Sequence, residues 1–275
     1  MSEGATRPDA QVVLESVVFN SSDGPVLRGI SHRFPSGLTS AIMGPAGSGK
    51  STLLKCAAGL LAPDEGTVRL FGRDLSTIGE RKLMPLRRRC GFVFQDAALW
   101  QNMTVAQNLL LPLQVHEPHM AKGDMADRVE SLVRRVGLRA PTNKRPSELS
   151  QGERKVVSFL RSLVLEPEVV FLDEPTGHVD VESRERMLAM LKELKRQGRT
   201  LILVTHDPEL TAQIADHILV IQEGKALESG PIDRVVRSPD PRVAAVLTDV
   251  LSKTSVYDAD ILDILDESQE FGGGP

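Results

Sequence analysis

The stretch GPAGSGKST, at residues 44–52, decides the fold. It matches the pattern G-x-x-x-x-G-K-S/T, follows an apolar run that predicts a strand, and opens a run that predicts a helix. In that context the backbone N–H groups converge on phosphate oxygens, and the helix N-terminus adds partial positive charge. We therefore predict a phosphate-binding loop made of Gly44, Pro45, Ala46, Gly47, Ser48, Gly49, Lys50, Ser51 and Thr52.

Two groups of side chains predict nucleotide chemistry. Lys50 would reach the β- and γ-phosphates as a catalytic cation, and the Ser51 hydroxyl would bind Mg²⁺. Asp173 ends the apolar run of VVFLDEP, where ligands lie in open α/β sheets, and would hold Mg²⁺ through water. Glu174 would orient or deprotonate the attacking water. Taken alone, Glu174 would be interpreted as a surface acid at a strand end.

Two more polar residues end predicted strands. Gln95 ends GFVFQ and leads into a helical segment, so it is a candidate to couple Mg²⁺ or water to that segment. His206 ends LILVTH and is a candidate to hydrogen-bond the γ-phosphate and Glu174. The alternatives are a surface glutamine and a structural histidine.

A second polar turn, PSELSQGERK at residues 146–155, also precedes a predicted helix. It has one glycine and is typical of a phosphate-binding helix start. The chain therefore contains two such starts about a hundred residues apart, and the second needs an explanation.

The order of the elements predicts an α/β fold. Residues 11–42 are β-rich, residues 75–165 are mostly helical, and the β/α alternation then returns with VVFLD, SRERMLAMLKELKRQG and LILVTH. Strands this apolar belong in a sheet covered on both faces, so we predict a sheet core interrupted by a helical insertion. The last twenty or so residues are acidic, with Ile261, Leu262, Ile264 and Leu265 at helical spacing. They predict either a disordered tail or a segment that docks on a partner.

The composition excludes several classes of protein. The chain has 275 residues, a net charge of −4 and only two cysteines, so neither a nucleic-acid partner nor a disulfide framework is expected. Neither a secretory signal nor an uninterrupted apolar run of about 18 residues occurs, so we expect a cytoplasmic protein whose membrane part, if any, belongs to a partner.

Six motifs occur in an order and at a spacing that resemble the nucleotide-binding subunits of ABC transporters. They are GPAGSGKST, GFVFQ, ELSQGE, VVFLDEP, TGHVD and LILVTH, and the resemblance covers roughly residues 11–240. It implies a P-loop NTPase of the ABC ATPase fold, with a RecA-like sheet core, an antiparallel β subdomain and an inserted α-helical subdomain at about residues 96–165. The ABC domain would cover residues 11–250, followed by a C-terminal extension at 251–275. ATP and Mg²⁺ are the implied cofactors, and ATP hydrolysis is the implied reaction.

The resemblance also explains the second helix start. In this family two subunits sit head to tail, so Ser150 and Gly152 would contact the γ-phosphate bound by a second copy of the chain, and Asp180 of TGHVD would line the same interface. Phe19 would stack on adenine, with a core phenylalanine as the alternative. The motif departs from the common LSGGQ form at Gln151 and Glu153, and the added anion of Glu153 should weaken closure unless Arg154 or Lys155 neutralises it.

A narrower resemblance concerns the transported cargo. The stretches AIMGPAGSGKSTLL, FQDAALWQNMTVAQNLLLPL and SPDPRV are similar to those of Mla/Mce-type lipid transport ATPases. That implies an integral membrane permease, an Mce-domain lipid-binding protein in the same complex, and a peripheral location on the cytoplasmic face of the inner membrane. The exposed stretch around Trp100 would then receive the permease. The alternatives are an ATPase of another importer or exporter, for lipoproteins or small solutes, and a soluble ABC ATPase without a transport role.

Overall fold

A computed structural model describes residues 9–138 and 140–252. The strands and α-helices in this part of the chain are β1 (Ala10–Ser21), β2 (Gly24–Pro35), β3 (Thr39–Met43), α1 (Lys50–Ala57), β4 (Glu65–Leu70), β5 (Arg73–Asp74), α2 (Glu80–Arg88), β6 (Cys90–Val93), α3 (Val105–His116), α4 (Lys122–Val136), α5 (Gln151–Leu163), β7 (Val169–Asp173), α6 (Val181–Arg196), β8 (Thr200–Val204), α7 (Pro208–Ile214), β9 (His217–Gln222), β10 (Lys225–Pro231), α8 (Ile232–Val236) and α9 (Pro241–Ser252).

A six-stranded sheet forms the centre of the fold, in the order β10-β9-β3-β8-β7-β6. All its pairs are parallel except the β9–β10 hairpin. Every residue of β3, β7 and β8 is buried, as expected for a parallel sheet covered on both faces. The predicted α/β core is therefore confirmed.

Alternate side chains of the central strands enter two different hydrophobic clusters, because successive side chains of a strand point to opposite faces. On β7, Val170 and Leu172 join the cluster formed with α3 to α9, whereas Val169 and Phe171 join the cluster formed with α1 and the second sheet. Burying one such side chain stabilises the fold by about 1.5–3 kcal/mol relative to leaving it exposed. This two-sided packing holds the strand ends in fixed positions.

The second sheet is antiparallel and four-stranded, in the order β2-β1-β4-β5. Helices α3, α4 and α5 lie between β6 and β7 in the chain, as the predicted helical insertion requires. The ABC ATPase fold inferred from the motifs thus has all three of its predicted parts.

Two further expectations concern the ends of the chain and the membrane. Residues 253–275, which include the predicted docking segment at Ile261, Leu262, Ile264 and Leu265, lie outside the described residues. In the part of the chain that is described, no helix has both the length and the apolar character needed to cross a membrane.

Candidate active site

The phosphate loop joins β3 to α1 and leaves the start of α1 open. Its last residue before the helix, Gly49, has φ +97°, and α1 has neither a side-chain cap nor an acidic residue in its first turn. A Cβ on Gly49 would lie 2.9 Å from Leu27 Cδ2 and 3.0 Å from the Val26 carbonyl oxygen. Backbone N–H groups at an uncapped helix start are donors for an anion.

One cavity of about 400 Å³ brings most of the predicted site residues together. Its lining combines residues of the phosphate loop (Ala46, Gly47, Gly49, Lys50, Ser51 and Thr52) with Val26 of β2, Val204 at the end of β8, and three side chains that follow strands of the central sheet, namely Gln95, Glu174 and His206. These last three meet at the loop, although His206 lies about 160 positions from Ala46 in the sequence, because the carboxyl ends of parallel strands share one edge of the sheet.

Gln95 and His206 lie farther from their strands than the sequence predicted. Strand β6 ends at Val93 and β8 ends at Val204, so each residue lies two positions beyond its strand. The reason is that pairing with β7 ends at these positions: the last pair of β6 is Val93 with Leu172, and the last pair of β8 is Val204 with Asp173. Both side chains therefore lie on loops at the edge of the sheet.

Ser51 and Asp173 form the part of the site that fits a metal ion. The Ser51 hydroxyl donates to Asp173 Oδ1 over 2.9 Å, and Asp173 is only 1% exposed. Its second oxygen, Oδ2, is buried and has no hydrogen-bond partner among the described residues. Burial raises the pKa of Asp173, while the Ser51 hydrogen bond lowers it. Hydroxyl and carboxylate oxygens are ligands that Mg²⁺ accepts beside phosphates, so these residues fit the predicted ion.

Glu174 is held in an unusual backbone conformation with one oxygen uncommitted. Its φ is +47°, and its N–H donates to the Val204 carbonyl over 2.9 Å. Oε2 accepts the His206 N–H at 3.3 Å, and Oε1 is buried without a hydrogen-bond partner among the described residues, 3.6 Å from His206 Nε2. Burial raises the pKa of Glu174, and the charge of Asp173 raises it further, whereas the hydrogen bond from the His206 N–H lowers it. A carboxylate with a raised pKa is a stronger base.

Lys50 is held within the loop itself. Its Nζ donates to the Gly44 carbonyl over 2.7 Å and to the Pro45 carbonyl over 2.8 Å. Gly44 packs closely, since a Cβ there would lie 2.2 Å from the Ile221 carbonyl oxygen. The ammonium therefore lies within the loop that is predicted to bind phosphate, and two backbone carbonyls stabilise its charge.

The second helix start is built differently, because its own side chains cap it. Ser150 precedes α5 and its Oγ accepts the Glu153 N–H at 3.1 Å, while Glu153 Oε2 accepts the Ser150 N–H at 2.8 Å. Gln151 is exposed and is the first residue of the helix, where φ is negative and glycine is not required. This reciprocal capping box gives Glu153 a structural role. The S-x-x-E spacing of Ser150 and Glu153 is its signature in the sequence, which the motif comparison did not use.

The cations that follow Glu153 do not neutralise it, contrary to one of the two expectations. Arg154 donates to the Leu149 carbonyl over 2.8 Å, and Lys155 points into the protein, to the carbonyls of Phe94 and Gln95. The Arg154 side chain runs back toward the turn before α5, as helical side chains do, but the carbonyls of that turn engage its guanidinium. Lys155 lies on the buried face of α5 and so points into the protein. The charge of Glu153 remains at the start of the helix.

Eight predicted site residues, all within the described part of the chain, do not line the cavity. Gly44, Pro45 and Ser48 belong to the phosphate loop and Asp173 bonds Ser51, whereas the other four come from elsewhere. A Cβ on Gly152 would lie 2.6 Å from the His178 carbonyl oxygen, so the start of α5 packs on the chain just before Asp180, which itself caps α6 through the Ser183 N–H. Among the described residues, the lining of the cavity includes none of Ser150, Gly152, Asp180 and Phe19. The ring of Phe19 is half-buried and packs against the cluster of the antiparallel sheet, which agrees with the alternative of a core phenylalanine.

Comparison with known proteins decides the family. The family model described as ABC transporter matches residues 27–177, which include the phosphate loop, the second helix start and Glu174. The chain belongs to the ABC transporter family. The family prediction made from the motifs is therefore correct.

Similar proteins from this family have been named or solved. The chain is 38% identical over 259 residues to methionine import ATP-binding protein MetN 2 of Burkholderia pseudomallei, covering 92% of this chain and 64% of that protein. It is 36% identical over 229 residues to the sulfate/thiosulfate import ATP-binding protein CysA of Synechocystis, covering 83% of this chain and 62% of that protein. It resembles the dimeric ATP-binding cassette MJ0796 bound to ADP and Pi, with TM-score 0.75 and 28% identity over 80% of this chain and 98% of that one.

These comparisons support the family and not the narrower lipid prediction. Both curated relatives are named as importers of small solutes, and this chain spans a little under two thirds of their length. The presence of an ABC ATPase domain is shown, whereas the cargo is a matter for proposal.

Sequence reasoning missed three residues in or beside the candidate site. Val26 and Val204 line the cavity. No local sequence pattern marks them as site residues, because only the packing of β2 and β8 brings them there. Lys155 was interpreted as a neighbour of Glu153, but it is buried. A lysine on the apolar face of the amphipathic α5 was the available signal.

Proposed function

We propose that this chain is the ATP-binding and ATP-hydrolysing subunit of an ABC transporter, acting with Mg²⁺ on the cytoplasmic face of a membrane. The observation that carries the proposal is the single cavity lined by Lys50, Ser51, Gln95, Glu174 and His206. Each supplies a group that phosphoryl transfer to water needs. Asp173 accepts the hydroxyl of Ser51, and one buried oxygen each of Asp173 and Glu174 has no hydrogen-bond partner among the described residues.

The residues of this chain have distinct roles in the proposed reaction. Lys50 binds the β- and γ-phosphates, and Ser51, Asp173 and Gln95 hold Mg²⁺, which neutralises phosphate charge when bound. Glu174 orients the attacking water and accepts its proton at Oε1. His206 hydrogen-bonds the γ-phosphate and Glu174.

ATP brings two copies of the chain together head to tail in this proposal. Each ATP lies between the phosphate loop of one copy and Ser150, Gly152 and Asp180 of the other. Two observations support this arrangement: these three residues do not line their own chain's cavity among the described residues, and the start of α5 packs next to Asp180. The related cassette MJ0796 was solved as a dimer with ADP and Pi.

Trp100 is the proposed contact with the membrane permease. Its side chain is 56% exposed, and the Asn108 side chain bonds both its N–H and its carbonyl, over 2.9 and 3.1 Å. An exposed aromatic side chain on a fixed backbone suits an interface anchor. Trp100 lies five residues beyond Gln95, which lines the cavity. A permease bound at Trp100 would therefore contact the chain segment that begins at the cavity.

The names of the relatives support a small solute as the cargo and import as the direction of transport. Transport of lipid between membranes, with an Mce-domain protein, is the second candidate, and it rests on the stretches AIMGPAGSGKSTLL and SPDPRV. Purifying the tagged chain from membranes in mild detergent separates them. A permease with an Mce-domain protein favours lipid, a permease with a solute-binding protein favours import, and recovery of ribosomes would contradict both.

Replacing the proposed base tests the reaction. Glu174→Gln keeps the shape of the side chain but removes the proton acceptor, so turnover should be abolished and an ATP-bound dimer should accumulate. Phosphate release and gel filtration with and without ATP measure the two effects. Glu65→Gln, at an exposed position at the start of β4, is the control. Unchanged hydrolysis in Glu174→Gln would disprove the assignment of the base.

A further inference from the structure

Lys155 is a buried cation that joins two parts of the proposed site. It lies on α5, five residues after Ser150, and is only 4% exposed. Its Nζ donates to the Phe94 carbonyl over 3.0 Å and also to the Gln95 carbonyl. Lysines are almost never fully buried without partners, because removing an ammonium from water is costly. The position therefore depends on the loop that carries Gln95.

A second cation of α5 holds the same loop. Arg161 donates to the Ala98 carbonyl over 3.0 Å and to the Ala97 carbonyl over 3.3 Å. Ala97 and Ala98 have φ values of +66° and +44°, a conformation that is strained for alanine and persists only where the surroundings support it. Two side chains of one helix thus hold four carbonyls of the loop after β6.

Three acids partly offset the cost of burying Lys155. Burial lowers the pKa of Lys155 below its usual value, and the negative charges of Asp173, Glu174 and Asp96 act in the opposite direction without cancelling that effect. The buried ammonium is thus held by its two carbonyl partners, and the acids add a favourable field. A neutral side chain at this position would keep the packing and lose both the field and the two hydrogen bonds.

We propose that Lys155 is a positioning residue that fixes Gln95 to the helix beginning at Ser150. Through this link, a displacement of the start of α5 moves the Gln95 backbone, and with it the side chain that lines the cavity. Contact of a phosphate with Ser150 and the reach of Gln95 into the cavity then change together. The inference rests on the proposed ATPase function and adds a residue to it.

A double-mutant cycle tests this link, because coupled residues deviate from additivity. In the full-length chain, Lys155→Met should lower kcat for ATP about tenfold, the size of a lost hydrogen bond to a charged group, with KM within about twofold. In a Gln95→Ala background the same substitution should change kcat less than about twofold. Lys155→Arg, whose guanidinium also donates to two carbonyls, should restore most of the rate.

The control removes a partly exposed lysine with similar partners elsewhere. Lys195 donates to the Ile214 carbonyl over 2.9 Å and pairs with Asp216 at 2.7 Å, so Lys195→Met loses similar interactions outside the cavity. It should lower the melting temperature as Lys155→Met does and leave kcat unchanged. If Lys155→Met does not fold, Lys155→Gln, which keeps a polar group, replaces it in the cycle.

Two results would overturn the proposal. One is an equal loss of kcat from the Lys155 substitution in the wild-type and Gln95→Ala backgrounds, and the other is an equal loss from Lys195→Met. Absence of ATP hydrolysis by the wild-type chain is a different result, because it contradicts the proposed function itself.

Discussion

The chain contains two helix starts that resemble phosphate sites, and they are built in opposite ways. Helix α1 begins after Gly49 without a side-chain cap or an acid in its first turn. Helix α5 begins after Ser150 with a complete capping box, and Glu153 adds a negative charge to its first turn. The first start leaves its N–H donors to a ligand, whereas the second already engages two of them with its own side chains.

This difference indicates that the two starts require different kinds of ligand contact. An open, uncapped start can bind an anion by itself. A capped start that also carries a carboxylate repels an anion, so it can engage a phosphate only if another part of the assembly holds that phosphate in place. The proposed head-to-tail dimer supplies this condition.

The largest expected effect comes from closing the open start. Gly49→Ala places a Cβ against Leu27 and the Val26 carbonyl at a φ of +97°, and the strain alone costs about 1–3 kcal/mol. The loop must shift, so ATP affinity should fall at least about tenfold, as measured with a fluorescent nucleotide.

The matched control for that substitution is Gly72→Ala. Gly72 has φ +75° in the β4–β5 turn, and a Cβ at this position would point into open space. This variant should lose stability through the same kind of strain and bind ATP normally. Equal losses of ATP affinity in both variants would mean that the open start of α1 is not the binding feature.

A smaller effect is expected from removing the cap of the second start. Ser150→Ala should lower the free energy of unfolding by about 1 kcal/mol, the usual cost of losing a cap. ATP binding by the monomer should be unchanged, and ATP-dependent dimerisation should weaken. Urea unfolding and sedimentation measure the two properties.

Thr104→Ala separates capping from dimerisation. Thr104 and Gln107 form the same reciprocal box at the start of α3. The variant should lose similar stability and dimerise normally. If Thr104→Ala also prevents dimerisation, the effect of Ser150→Ala reflects stability and not contact with ATP.

The smallest effect concerns the charge of Glu153. Glu153→Gln keeps the N3 side chain of the capping box and removes the negative charge, which at a helix start is worth about 0.3–1 kcal/mol. In the Glu174→Gln background, ATP-dependent dimerisation should tighten by about two- to fivefold, and less so at high salt. Glu148→Gln, which removes a carboxylate from the preceding turn, should have little effect, and an equal gain there would point to net charge alone.

The secondary-structure elements could be predicted from local sequence to a greater extent than the contacts of the candidate site. The phosphate loop, the buried strand β7 and the amphipathic α6 were predicted correctly, because each depends on residues that are neighbours in the chain. The strands before Gln95 and His206 end two residues earlier than predicted, because pairing with a neighbouring strand decides where a strand ends. The partners of Lys155 belong to a loop some sixty residues away, and no local pattern contains them.

By itself, the sequence determined the family, the open helix start at Gly49 and the acids at the end of β7, because glycine spacing, apolar runs and motif order are properties of adjacent residues. Only the tertiary structure decided that Val26 of β2 reaches the cavity and that Lys155 holds the loop of Gln95. The physical reason is that a buried charge is stable only with partners around it. Those partners, like the strands that meet at the cavity, come from parts of the chain that meet only after folding.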